Sequence, residues 1–198
     1  MKPIIPNWIT QWIGFVKGTT HPPQDREKEL EEAKKMFLHY GCNHFYMMKE
    51  GASKEYEKYH VGKKQEKIWH DEYIAHWLEK LSVDDLTALW SLKNSWTQDV
   101  IPTLIGMADK GDSYAKFWFA DTILWISGNQ MVANKQGKQA AIELFKSIVQ
   151  GPVVISEQHR QEVDQSTMNA LDASTPEEYL INYSKRKLTE LKIKLSDL

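Results

Sequence analysis

A chain of 198 residues with 41% hydrophobic side chains and eight tryptophans suits one domain, and at that size about 70% of the unfolded surface can be buried without staples. The formal charge of −2 excludes bulk attraction to nucleic acid, whose recognition normally shows a basic patch or stripe. Cys42 is the only cysteine, which excludes an intrachain disulfide and an all-cysteine metal site and fits a reducing compartment.

The first stretch, MKPIIPNWITQWIGFVKGTT, carries Trp8, Ile9, Trp12, Ile13 and Val16 at helical spacing, and Gly18 closes it. Prolines and the polar Asn7, Thr10 and Gln11 interrupt its apolar run, so it does not read as a signal peptide. No stretch approaches the roughly 20 apolar residues of a membrane-spanning helix. The expectation is a soluble, cytoplasmic protein.

The prolines of THPPQDREKELEEAKK and the acids from Asp25 to Glu32 announce a long helix, expected to run to about Lys49. A loop with one turn of helix follows between Gly51 and Gly62, then a helix from about Lys63 to Leu81. Ser82 of SVDD is the expected N-cap of a helix that continues through Trp96. Asp99 to Lys110 makes a shorter helix, with Pro102 tolerated in its first turn. Gly111 ends it, and Asp112 caps the strongly apolar SYAKFWFADTILWI. SGNQMVANKQG reads as a loop, and KQAAIELFKSIV as a helix ended by Gly151 and Pro152. VVI at 153 to 155 is the one plausible strand. A helix from Ser156 to about Met168 precedes DASTPEEYL, which caps the terminal helix and places Pro176 in its first turn. That helix carries Leu180, Ser184, Leu188, Leu191 and Leu195 on one side. The expected fold is all-α, a single domain of about eight helices in a right-handed array, with helices at 1–81, 84–151 and 156–198.

Within EKIWHDEYIAHW, residues 66 to 77, Tyr73, Ile74, Trp77, Leu78 and Leu81 form an apolar stripe with His70 in its middle. His76 lies roughly 120° away beside Trp69 and Glu72, so the two histidines cannot easily reach one metal. Zincin spacing is absent. His44 falls on the apolar face of the long helix with Leu30, Phe37, Phe45 and Met48, and Asp121 sits among Tyr114, Phe117, Trp118 and Trp125. Ionisable groups on such faces need partners or a metal, because desolvating an unpaired charge costs several kcal/mol. The default partners are a carbonyl or hydroxyl for the histidines and an indole or phenol for Asp121. Cys42 reads as an inert, partly buried thiol. Glycine-rich phosphate loops and a Gly-x-Ser-x-Gly elbow are absent.

Two resemblances bear on function. KGDSYAKFWFADTILWISGNQMVANKQGKQAAIELFKSIVQG resembles one unit of a Sel1-like or tetratricopeptide helical repeat, with Gly111, Ala115, Ala120, Gly128, Ala141, Leu144, Phe145 and Gly151 in comparable parts. Phe119-Ala120 stands where that family prefers leucine-glycine. A preceding helix pair extends the likeness over residues 84 to 151. Such repeats imply stacked helix pairs that bind other proteins. The order His44, His70-Asp71, Asp121 is similar to the ligand order of HD-domain metal-dependent phosphohydrolases. That likeness implies a divalent metal held by His44, His70, Asp71 and Asp121, lowering the pKa of a bound water.

The functional expectation is non-catalytic: a helical adaptor, regulator or immunity-type inhibitor that binds another protein, with contacts at Trp96, Lys116 and Gln130. The metal-dependent phosphohydrolase is the alternative. A structural homodimer through the leucine-lined terminal helix is the third reading.

Overall fold

The computed structural model describes residues 23–128, 134–163 and 168–193. The expected segment around Trp8 to Val16, Gln130 and Leu195 lie outside the described residues. Within them the fold is all-α: ten α-helices and one 3-10 turn, with no strand, so VVI at 153–155 is not one.

Two helices replace the single long one expected to run to about Lys49, and the helical turn expected between Gly51 and Gly62 is a third, short helix. α1 spans Pro23–His39, α2 His44–Lys49 and α3 Ser53–Glu57. Gly41 (φ 63) and Cys42 (φ 58) both take left-handed backbone, and their amides return to Leu38 O and Phe37 O, at 3.0 and 2.9 Å. That closure satisfies the last carbonyls of α1. Asn43 then restarts the chain, its side chain accepting from Phe45 N at 3.0 Å and donating to Asn94 O at 3.0 Å.

α4 (Lys63–Glu79) follows, then α5 (Thr87–Ser95), the 3-10 turn (Gln98–Val100) and α6 (Ile101–Ala108). α5 begins later than its expected cap at Ser82. Ser82 Oγ accepts Asp84 N at 3.1 Å and Asp85 accepts Thr87 N at 2.9 Å, so short polar side chains hold 82–86 in turns. α7 (Ser113–Gly128) and α8 (Lys135–Gln150) follow, each with a side-chain cap: Asp112 accepts from Ala115 N and Asn134 from Gly137 N. α9 (Glu157–Glu162) is shorter than expected, and α10 (Pro176–Glu190) starts at its Thr175 cap.

α7 is the centre of the larger core. Phe117, Phe119, Ala120, Ile123 and Ile126 are fully buried although they point to different sides, because α5, α6, α8 and α10 all pack against it. α8 and α10 also pack on each other, and Leu180, Ser184 and Leu188 are buried inside the chain. The leucine face read as a dimer surface is thus covered internally at these positions. A smaller core joins Ala33, Phe37, Cys42, Met47, Tyr56 and Trp69. α4 connects the two: Trp69 and Tyr73 face the small core, while Ile74, Trp77 and Leu78 face the large one. Trp69, which the helical wheel leaves on a flank, is the residue of α4 that is buried.

The α7–α8 contact needs a glycine. A methyl on Gly137 would meet Ser127 Oγ at 2.2 Å and Ile101 Cδ1 at 3.1 Å. Gly137→Ala is expected to cost about 1–3 kcal/mol through overpacking, read as a lower urea midpoint with unchanged slope.

Candidate functional site

The four residues of the expected metal set take separate partners. His44 is more than half exposed (59%), because the break at Gly41 and Cys42 turns α2 away from the face that a continuous helix would give it. Its Nε2 lies 3.2 Å from Glu66 Oε1. His70 Nε2 pairs with Thr97 Oγ1 at 2.8 Å, and its Nδ1 is 3.7 Å from Asp71. Asp71 is exposed and accepts from Lys67 at 2.7 Å. Asp121 accepts from Lys93 at 2.7 Å and lies 3.8 Å from Lys187, so lysines rather than an indole or phenol satisfy it. Among the described residues no group of three or more His, Cys, Asp or Glu side chains is placed to hold a metal ion. The sequence order of an HD-type set is present without its convergence.

His44 contributes to a different arrangement. A cavity of about 470 Å³ is lined by His44, Met48, Tyr56, Glu57, Val61 and Glu66, together with Ser53. Tyr56 is buried, stacks on Phe37 with ring centroids 5.7 Å apart, and donates its hydroxyl to Glu66 Oε1 at 2.9 Å. Glu66 therefore receives the phenol and faces the imidazole through the same oxygen. Burial and then the Glu66 carboxylate raise the Tyr56 pKa well above the ordinary phenol range, so Tyr56 stays a donor. Burial likewise pushes the nearby Cys42 thiol up to about 12, which makes it inert. Glu66 stands at the start of the stretch EKIWHDEYIAHW that also carries His70. Only the three-dimensional neighbour, Tyr56 on α3, shows that Glu66 belongs to a polar cluster.

Beside this cavity α2 presents apolar side chains to water. Phe45 is 46% and Met48 63% exposed. Phe45 packs on Trp96 with centroids 5.2 Å apart, and Tyr46 touches the same indole at 5.7 Å. Trp96 holds that position from a left-handed backbone (φ 56) at the end of α5. Of the three contact residues chosen from the sequence, Trp96 joins this face. Lys116 lies on α7, 3.9 Å from Asp109.

A second polar cluster is formed by two residues that the sequence does not pair. His159, 2% exposed, donates from Nδ1 to Asp112 Oδ2 at 2.8 Å, and Ser156 N donates to the same oxygen at 2.7 Å. Asp112 thus caps α7 and holds the start of α9 in one contact. Burial disfavours its carboxylate, but the amides of Ala115 and Ser156 and the His159 ring more than offset this and hold its pKa below the usual range. A depressed folded-state value stabilises the fold above the ordinary carboxylate pKa of about 3.9 and loses that stabilisation as pH falls through the lower folded value. Asp112→Asn should therefore be less stable than wild type at pH 7 and lose less stability between about pH 4 and 2, as read by urea midpoints across that range.

Among the described residues no helix is long and apolar enough to cross a membrane. The class that fold and site define is an all-α protein with a small secondary core carrying an exposed aromatic face. Comparison with family models, with curated proteins and with solved structures finds no match.

Proposed function

We infer that this chain is a non-catalytic helical protein that binds another protein through the face of Phe45, Met48 and Trp96. The observation that carries the reading is the pair Phe45 and Met48 on α2, both standing well into water, with Phe45 packed on the half-buried Trp96. Aromatic anchors at the centre of a patch supply most of the free energy in protein interfaces, and the surrounding contacts mainly exclude water. Contiguous exposed apolar patches rimmed by polar residues mark interaction sites, and that is the role assigned to this face. The polar groups nearby favour recognition over chemistry, since Tyr56, Glu66 and His44 already engage one another. The Sel1-like resemblance of residues 84–151 supports the same class of function, with α7 and α8 as its helix pair. A cytoplasmic adaptor, regulator or immunity-type inhibitor is the form we propose.

The test is Phe45→Asp in the full chain. Because Phe45 is exposed, its unfolding free energy should stay within about 0.5–1 kcal/mol of wild type. Capture of the protein that the wild type retains should weaken at least about tenfold. Undiminished capture by Phe45→Asp, with its circular dichroism unchanged, would refute the assignment of this face. Sedimentation of the same pair of proteins separates a foreign partner from a second copy of the chain.

A further inference from the structure

We propose that the cavity of His44, Tyr56 and Glu66 receives a lysine or arginine side chain of the protein partner, while an apolar side chain close to it in the partner lies on Phe45 and Met48. As a statement of that partner's chemistry, this rests on the face assigned above.

Charge is the first argument. Glu57 and Glu66 both line the cavity, and among the described residues no lysine or arginine does. The lysine that follows each acid in the chain is engaged elsewhere: Lys58 pairs with Glu55, and Lys67 with Asp71 at 2.7 Å. Glu66 keeps only 18% of its side chain exposed, and the groups that answer it are the Tyr56 phenol and the His44 imidazole, which is charged only if protonated. A carboxylate drawn this far out of water gains most from a full positive charge, because charge-assisted hydrogen bonds are roughly twice as strong as neutral ones. Lysine and arginine carry that charge on an apolar stem, and Tyr56, Val61 and Met48 line the same cavity to receive the stem.

Continuity with the apolar face is the second argument. Met48 lines the cavity and is also 63% exposed, so the cavity and the face share a side chain. His44, Phe45 and Met48 fall within about 6 Å of rise along α2. An extended peptide sets side chains i and i+2 on one side about 7 Å apart. A basic residue in the cavity therefore brings an apolar residue two positions away onto Phe45 and Met48. The volume of about 470 Å³ lies in the range of pockets that hold small ligands.

The experiment titrates the full chain with acetylated, amidated tripeptides and follows the Met48 methyl resonance by NMR. Arg-Ala-Leu is paired with its neutral citrulline isostere, and Lys-Ala-Leu with its side-chain-acetylated form. In at least one pair the charged peptide should bind at least about fivefold tighter than its neutral counterpart. Glu57→Gln, at an exposed position, should cut that ratio by at least about twofold, and Glu57→Gln with Glu66→Gln should bring it to about one. Equal affinity within both pairs would overturn the proposal, as would a ratio that both glutamine variants leave unchanged. Absence of saturable binding by every peptide would overturn it too. Each of those results leaves the apolar face standing, because its own test is capture by Phe45→Asp. Undiminished capture by that variant strikes the face and not the charge preference, so the two failures are told apart.

Discussion

Asp121→Asn should unfold at a markedly lower urea concentration than wild type, with a loss of about 3–5 kcal/mol. At this chain length that corresponds to a fall in Tm of roughly 6–20 °C. The reason lies in what the substitution leaves behind. Asp121 is buried on the central helix α7, and it receives Lys93 from α5 at 2.7 Å and Lys187 from α10 at 3.8 Å. Lys93 sits over the rings of Trp90 and Trp125, at 5.3 and 5.4 Å, so its ammonium is held against aromatic surface. Burial opposes the charged form of Lys187, yet Tyr183, Asp121 and Glu190 more than offset it and raise its pKa. Removing the carboxylate strands both cations, and Glu190, 3.6 Å from Lys187, can answer only one of them. Electrostatics at this depth is poorly screened, so added salt should restore little. Lys93→Met, Asp121→Leu and Lys187→Met together should recover most of the loss, because no desolvated charge remains. A combined variant as unstable as Asp121→Asn would show that packing, and not charge, sets the effect.

Phe117→Ala is the second large effect, expected at about 3–5 kcal/mol. Phe117 is fully buried, and its ring meets Trp118 and Tyr183 at 4.9 Å, Phe145 at 6.0 Å and Tyr179 at 6.2 Å. These neighbours come from α7, α8 and α10, so one side chain ties three helices together. Large aromatic neighbours cannot rotate into the space left by an alanine without leaving their own rotamers, which keeps the cavity open and the cost high. Phe117→Leu should cost far less, about 1–1.5 kcal/mol, since it keeps most of the volume. Equilibrium urea unfolding of the two variants distinguishes cavity formation from loss of an aromatic pair.

Much of the architecture is legible in the sequence because it is local. α7 can be read from an apolar run with a glycine before it and Asp112 as its cap, and α10 from Thr175 and Pro176. These signals act within one helical turn, where the sequence neighbour is also the spatial neighbour. The burial of Asp121 is legible for the same reason. Its partners are not, because Lys93 and Lys187 are distant in the chain and look like ordinary surface lysines on their own helices. The break after His39 escapes a sequence reading because Tyr40-Gly41-Cys42 offers a single glycine, which a helix tolerates; the left-handed pair at Gly41 and Cys42 is imposed by closure onto Phe37 and Leu38. Reading a continuous helix there carries His44 from an exposed cavity rim to a buried face and produces a metal set that the fold does not assemble.

The sequence by itself determined the helical class, most helix ends and the identity of the central apolar helix, since hydrophobic period and capping chemistry operate over a few residues. Tertiary structure alone decided which side chains meet: α4 serving two cores at once, His44 beside Glu66 and Tyr56, and Asp121 between two lysines. Those pairings depend on how helices far apart in the chain rotate and pack against each other, and a small rotation of one short helix is enough to move a functional group from the core to the surface.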